Sequence, residues 1–438
     1  MFGKWGLVSA SIQQAYLRLL IYDQGGVHLL RFRPPNRNDP TQFDPLFVQL
    51  TFHLRCIMAS FPEEPLNLSA ADGFGYFPAD INQTLHDGKY TIVRKLGWGP
   101  RSSTWLVKWD GDETVPYQAV QIFTVSASKA AGTSLLPILQ NVVSYTHVWF
   151  LCIHDSFWET SVHGEHMCFV LPEYGLPLSG VLSDAMSNRE AGLPVRAVQY
   201  TVLRVLEALE KLHKVKVMHS GVKLENMVFW PANFDNELEE HLAETPPRKA
   251  KIIDGFPAMR SQPLANYTVG WNDPMRRVSD WLLILVGYGH VQVPPYAPAR
   301  EHDYSSAPET LLGNPTCGLS TDVWMLGCLA FELVTGQKLF TSTGTPSERL
   351  AEIRDVLQDT IPDAWQRDPN IQVLPDPSTS VESLEERLRQ VLSECEATEM
   401  CAFLQGCLVI NPAARQSARD LRKDDWVEAA GKCRCCYP

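Results

Sequence analysis

The sequence predicts an α+β chain in two lobes, a small β-rich N-lobe and a larger helical C-lobe, behind an N-terminal extension. Three observations predict it. Between residue 85 and about residue 170 apolar side chains alternate in short runs, with 90–96 and 103–109 flanking a glycine turn and 117–125 following as a third strand. From Pro194 onward the spacing changes to three or four. Val195, Val198, Val202, Val205, Leu206, Leu209 and Leu212 mark one face of a long helix, and 323–333 is apolar nearly throughout, as a buried helix is. With 438 residues, 45% hydrophobic and 20% charged, the chain can bury sizeable cores, which excludes a disulfide-stapled mini-protein and a wholly disordered chain.

The extension covers residues 1–80. Leu17, Leu19 and Ile21 alternate, Asp23-Gln24-Gly25-Gly26 supplies turn residues, and Val27, Leu29 and Arg31 resume the alternation, so a hairpin is expected. Phe43, Leu46, Phe47, Leu50, Leu54, Ile57 and Met58 then fall on one helical face. Nothing in the extension has the residue types of a catalytic site, and it reads as a packing or docking module. The N-lobe spans 85–172 and the C-lobe 173–430, the latter with a proline-containing polar insert at 231–250 read as surface. A second polar segment, 362–380, separates C-terminal helices. Residues 347–400 hold 13 acids and 5 bases, a pattern of a solvated face or of a docking groove. The tail, 431–438, carries Cys433, Cys435 and Cys436, with no second pair to complete a zinc site and with Pro438 where a prenylation box disfavours it.

Fifty acids against 38 bases give a formal charge of -12, which argues against direct binding to nucleic acid and suits a basic protein partner. Eleven cysteines, an odd number with no CxxC spacing before the tail, indicate a reducing compartment, cytoplasm or nucleus. No secretory start is visible, and the longest apolar run, 281–288, is far too short to span a bilayer.

Four fragments carry chemistry. Leu96-Gly97-Trp98-Gly99-Pro100-Arg101-Ser102 lies between two strands, where glycine lets backbone N–H groups approach phosphates. After it come His219-Ser220-Gly221-Val222-Lys223-Leu224-Glu225-Asn226, then Ala307-Pro308-Glu309, then Asp322-Val323-Trp324-Met325-Leu326-Gly327. The glycine turn alone is weak; the four in this order are specific. The order resembles protein kinases, and Arg94-Lys95-Leu96-Gly97-Trp98-Gly99 with Gly192-Leu193-Pro194-Val195-Arg196 resembles the serine/arginine-rich protein kinases, over about three quarters of the chain. Pro246-Pro247-Arg248-Lys249 with Ser261-Gln262-Pro263-Leu264 looks like the spacer of fungal members, and the turn at 22–26 resembles the front part of the fungal-type kinases.

That resemblance implies a two-lobed protein-kinase-like fold, ATP and magnesium as cofactors, and a protein substrate or partner that is basic or Arg/Ser-rich. It also implies site roles. Leu96, Gly97, Trp98, Gly99, Ser102 and Glu173 would line the nucleotide, His219, Glu309, Asp322 and Arg415 would tie the scaffold, and Asn226 would hold metal. The departures are severe. The strand lysine is Gln121, the helix glutamate falls near Pro137 in a stretch with no acid from Thr114 to His154, and the carboxylate that accepts the hydroxyl proton is Gly221. Lys223 and Asn226 remain, either as nucleotide contacts or as a capped loop with a solvated lysine. For the second metal ligand, Asp280, 28 residues before Pro308, is favoured over Asp254, 54 residues before it. Arg101 or Lys108 could supply a replacement cation, although both read more simply as surface residues. The apolar run at 281–288 has no account at this level. The expected function is a kinase-like binding or regulatory protein without phosphotransfer. The alternatives are an atypical active serine/threonine kinase and a scaffold for basic partners that binds no nucleotide.

Overall fold

The computed structural model describes residues 63–431 apart from 110, 112–115, 144–152, 176, 190, 231–234, 265–268, 300–301 and 379, together with the strand residues 12–13, 16–23 and 26–32. The helix expected around Phe43 to Met58 and the cysteines of the tail lie outside the described residues. Near the start, β1 (Ile12–Gln13), β2 (Tyr16–Asp23) and β3 (Gly26–Phe32) form an antiparallel sheet in which Asp23 faces Gly26, so the chain reverses where the turn residues stand.

The chain divides into two compact units. The small one is built on a six-stranded sheet of β4 (Thr84–Leu85), β5 (Tyr90–Gly99), β6 (Ser102–Trp109), β7 (Tyr117–Phe123), β8 (Asp155–Ser161) and β9 (Gly164–Leu171), in the order β4-β5-β6-β7-β9-β8. Its strands bury alternate side chains on one face: Ile92, Trp105, Val107, Val120, Ile122, Cys168 and Val170 share a core. Four shorter strands follow. β10 (Met227–Phe229) and β13 (Leu283–Leu285) pair in the large unit, while β11 (Lys251–Ile253) and β12 (Phe256–Ala258) pair in the small one.

Two boundaries differ from the sequence reading. Residues 63–79 belong to the small unit, since Phe77 and Ala79 enter the sheet's core and Leu66 packs with Tyr76 and Ala258. The stretch Leu242–Pro263, placed by the sequence reading in the C-lobe and up to residue 250 in its polar surface insert, also belongs to the small unit. Met259 enters the core, the Arg94 guanidinium donates to the Thr245 carbonyl and hydroxyl, and Gln262 N–H donates to the Lys95 carbonyl at 2.8 Å. Polarity marks a segment as solvated, but a polar backbone can equally dock on buried donors, and only contacts reveal which.

The large unit is helical. Along Val195–Lys214 the expected face is buried, with Val198, Val202, Val205, Leu206, Leu209 and Leu212 all fully covered. Leu319–Thr335 is buried at every position from Thr321 onward. A Cβ on Gly327 would come 2.7 Å from the Leu408 side chain, so glycine allows the helix to approach that close. The apolar run at 281–288 now has its reason: Leu283, Ile284 and Leu285 are the buried strand β13, and Trp281 is buried with its carbonyl accepting from Tyr200 Oη at 3.0 Å.

Candidate functional site

In the small unit, β5 and β6 meet with Gly99 opposite Ser102, leaving Pro100-Arg101 as the turn. The turn is fixed from below: Tyr76 Oη donates to the Gly99 carbonyl at 2.7 Å, and the Trp98 ring stands edge-on to Tyr76 at 6.0 Å. Gln121, across from Thr104 on β6, donates from Nε2 to Ser102 Oγ at 2.9 Å. Gln121 is thus a neutral amide already committed to a hydroxyl. The replacement cations are engaged elsewhere. Lys108 lies over the Tyr117 ring, four residues along β6 from Thr104 and so about 13 Å away. The Arg101 carbonyl accepts from Thr124 N–H, and its side chain has a partner.

Lys95 is buried and is held by the Glu63 carboxylate at 2.7 Å, the Glu64 carboxylate and the Met259 carbonyl at 3.0 Å. Glu63 in turn accepts from Ser261 N–H and Oγ. Burial raises the Glu64 carboxyl above its ordinary value despite the opposing pull of Lys95. This triad ties residues 63–64 and 259–261 to β5. Sequence spacing gave no signal for it, because Lys95 lies 32 and 31 residues from its two carboxylates.

In the large unit the loop 219–226 is set by the buried Asp322, whose carboxylate accepts from His219 N–H and Ser220 N–H at 2.7 Å each and lies 3.0 Å from His213 Nε2. Those two bonds hold Ser220 at φ +62°, a left-handed conformation that serine rarely adopts. His219 Nδ1 accepts from Gly221 N–H at 3.1 Å, so the proton sits on Nε2, and burial pushes the ring down to about 4. Arg415 forms a two-pronged pair with Glu309, at 2.8 and 2.6 Å.

Neither aspartate weighed as second metal ligand lies on the strand that returns to Asn226. β13 runs antiparallel to β10 with Leu285 opposite Met227, so the residues beside Asn226 are Val286 and Gly287: Val286 N–H donates to the Asn226 carbonyl at 2.8 Å. Asp280 is exposed in a turn beyond the other end of β13, more than about 10 Å along the ladder, and does not meet Asn226. Asp254 caps the β11–β12 turn of the small unit, where its carboxylate accepts from Asn67 Nδ2 at 2.8 Å. The missed signal is the apolar triplet itself, which reads as a strand returning to the loop.

Asn226 donates from Nδ2 to the Gly221 carbonyl at 2.7 Å, and a Cβ on Gly287, at φ +87°, would lie 2.2 Å from Asn226 Cγ. An aspartate cannot be seated there without ejecting Asn226. Magnesium takes carboxylate oxygens in near-octahedral geometry, and neither Val286 nor Gly287 carries one, so these residues do not fit the ion. Among the described residues no cluster of three metal-binding side chains forms. Lys223 is not simply solvated: it is paired with Asp303, which the sequence reading did not single out. Burial alone would raise the Asp303 carboxyl, but Lys223 and the two Ser305 donors outweigh it and hold it below its ordinary value. Glu173 follows β9, half-buried and with a partner.

The family model described as "Protein kinase domain" matches residues 298–427. The chain is 26% identical, over 61% of its own length and 65% of the relative's, to "Serine/threonine-protein kinase SRPK" of Physarum polycephalum. It is 31% identical to "SRSF protein kinase 3" of Mus musculus over 35% of this chain and 27% of that one. It is 26% identical to "Protein kinase dsk1" of Schizosaccharomyces pombe over 44% of this chain and 35% of that one. The chain thus spans just under two thirds of the first relative and about a third or less of the others. Among the described residues no helix is long and apolar enough to cross a membrane.

Proposed function

This chain is a protein-kinase-family member similar to the SRPK kinases, and from that premise we propose that it is a serine/threonine-kinase-like protein that has lost phosphoryl transfer and works by binding a protein partner. The observation that carries the proposal is the closure of the metal position: Gly287 presses on Asn226 with no room for a side chain. Phosphoryl transfer is catalysed by positioning and charge, so its parts fail together. Here the strand cation is the neutral Gln121, bonded to Ser102, the proton acceptor is Gly221, and the second metal ligand is Val286 or Gly287. Each such loss costs a few kcal/mol of barrier, or about 10²–10³ in rate.

The net charge of -12 supports a basic partner, including an Arg/Ser-rich one, although what the relatives act on is a property of those proteins. The test is transfer of labelled phosphate from ATP with magnesium to an Arg-Ser-rich peptide. The expected turnover equals that of a Gly97→Asp/Gly99→Asp control. Turnover above that control refutes the proposal.

A further inference from the structure

Arg94, on β5, is 1% exposed and forms no ion pair among the described residues. Its neighbour Lys95, equally buried, has two carboxylates. The Arg94 guanidinium donates instead to the Thr245 carbonyl and, at 3.1 Å, to Thr245 Oγ1, while its Nε is buried without a hydrogen bond. Burial lowers this guanidinium from its ordinary value, and no carboxylate opposes the shift. A cation taken out of water and held only by neutral oxygens is costly, and an anion at those oxygens would offset the cost.

Thr245 can become that anion. Every residue from Ala243 to Lys249 is exposed, and 246–250 is in neither helix nor strand, so a second enzyme can reach the segment. Of the 31 prolines only Pro246 and Pro346 follow a hydroxyl residue. Thr345 is closed into a helix cap, accepting from Glu348 N–H at 3.3 Å, and has that acid three residues on. Thr245 has Arg248 at the same spacing. Pro246 offers no N–H, so the modifying enzyme must be of the proline-directed kind, which asks for none there. From this we propose that Thr245 is a phosphorylation site for a proline-directed kinase and that Arg94 holds the phosphate.

In the transfer, Thr245 Oγ1 bonds to the γ-phosphorus of ATP carried by that second kinase. The bond from this phosphorus to the β–γ bridging oxygen breaks, ADP leaves, and the hydroxyl proton passes to the modifying enzyme's base. The product brings about two negative charges and three acceptor oxygens to a guanidinium that already reaches Oγ1. Charge-assisted bonds of this kind are about twice as strong as neutral ones. The other surroundings disfavour a phosphate: Glu244 precedes Thr245 at the C-terminal end of the helix Asp235–Glu244, the negative end of its dipole. Arg248 and Lys249 follow, but both are exposed and screened. Stabilisation therefore has to come through Arg94, and it fastens the stretch Leu242–Pro263 to β5 within the small unit.

The experiment treats the full chain with ATP, magnesium and a cyclin-dependent kinase, beside an incubation without the added kinase. Peptide mass spectrometry assigns the site, and the melting temperature is measured before and after. Phosphate is expected on Thr245 in the unmodified chain and to be absent from that peptide in Thr245→Ala. The melting temperature is expected to rise by about 3–10 °C, and Arg94→Gln, which keeps a donor to the Thr245 carbonyl, is expected to take the phosphate without the rise. A ³¹P titration of the unmodified phosphoprotein decides if that variant does not fold: the second ionisation of the phosphate is expected to lie below its value in the same sample unfolded in urea, because a guanidinium favours the dianion. No phosphate on Thr245, an unchanged or lowered melting temperature, a rise that survives Arg94→Gln, or an ionisation equal in folded and unfolded chains overturns the proposal.

Discussion

Replacing Lys95 by methionine removes the cation from a site that holds two carboxylates away from water. The side chains of Lys95, Glu63 and Glu64 are 1%, 8% and 3% exposed. Glu63 keeps two donors from Ser261, but Glu64 loses the Lys95 ammonium, the partner that opposes its burial. Leaving such a charge unpaired costs about 3–5 kcal/mol. For a unit of this size each kcal/mol lowers the melting temperature by about 2–4 °C, so a fall of about 6–20 °C is expected at pH 7 by scanning calorimetry. The pH dependence has a definite sign. Glu64 is already raised by burial, and without Lys95 it rises further. A group whose folded value is raised favours the folded state when protonated, so the deficit of the variant against the unmodified protein shrinks as pH falls from 7 towards 5. The double variant Lys95→Met/Glu64→Gln is expected to regain part of the loss. A deficit below about 1 kcal/mol at pH 7, or one that grows on acidification, refutes the assignment of Lys95 as a buried counter-ion.

Three further outcomes follow from the same geometry. His219 is held neutral at about 4 in the fold against 6.5 when free, so its contribution is complete above pH 6.5 and is lost as pH falls towards 4, by roughly 3 kcal/mol. Urea midpoints of His219→Asn are expected to vary less over that window, and an unchanged slope counts against it. Gly287→Asp, which would restore a carboxylate beside Asn226, is expected to destabilise by about 1–3 kcal/mol through its positive φ alone, with a further loss from the collision with Asn226. Its melting temperature should not recover on adding magnesium, and recovery would show that an ion can be seated there. Millimolar ATP with magnesium is expected to raise the melting temperature of the unmodified chain by less than it raises that of Gln121→Lys, since a ligand stabilises only as far as it binds the native state. An equal shift in both would remove the argument that Gln121 blocks phosphate capture.

Local pattern carried much of this protein. Alternation located β5, β6 and β7, the 3.6-residue period located Val195–Lys214, and residue types at fixed spacing located the loop 219–226 with its ties to Asp322 and the Glu309–Arg415 pair. The two aspartates weighed as second metal ligand were judged by distance along the chain from Pro308. Pairing in space depends instead on which strand returns to Asn226, and that is β13, with Val286 at its exit.

What the sequence determined alone is what a short stretch of chain can express: strand, helix, turn, and the uncharged Gln121 and Gly221 in the fragments that resemble a kinase's, since a residue type needs no structure to be noticed. What only the tertiary structure decided is where the remaining charges went. Lys95 is spent on Glu63 and Glu64, and Lys223 meets Asp303 across 80 residues. Partners so distant share no periodicity, and ionic attraction depends on separation in space and on exclusion of water, neither of which is written in the order of residues.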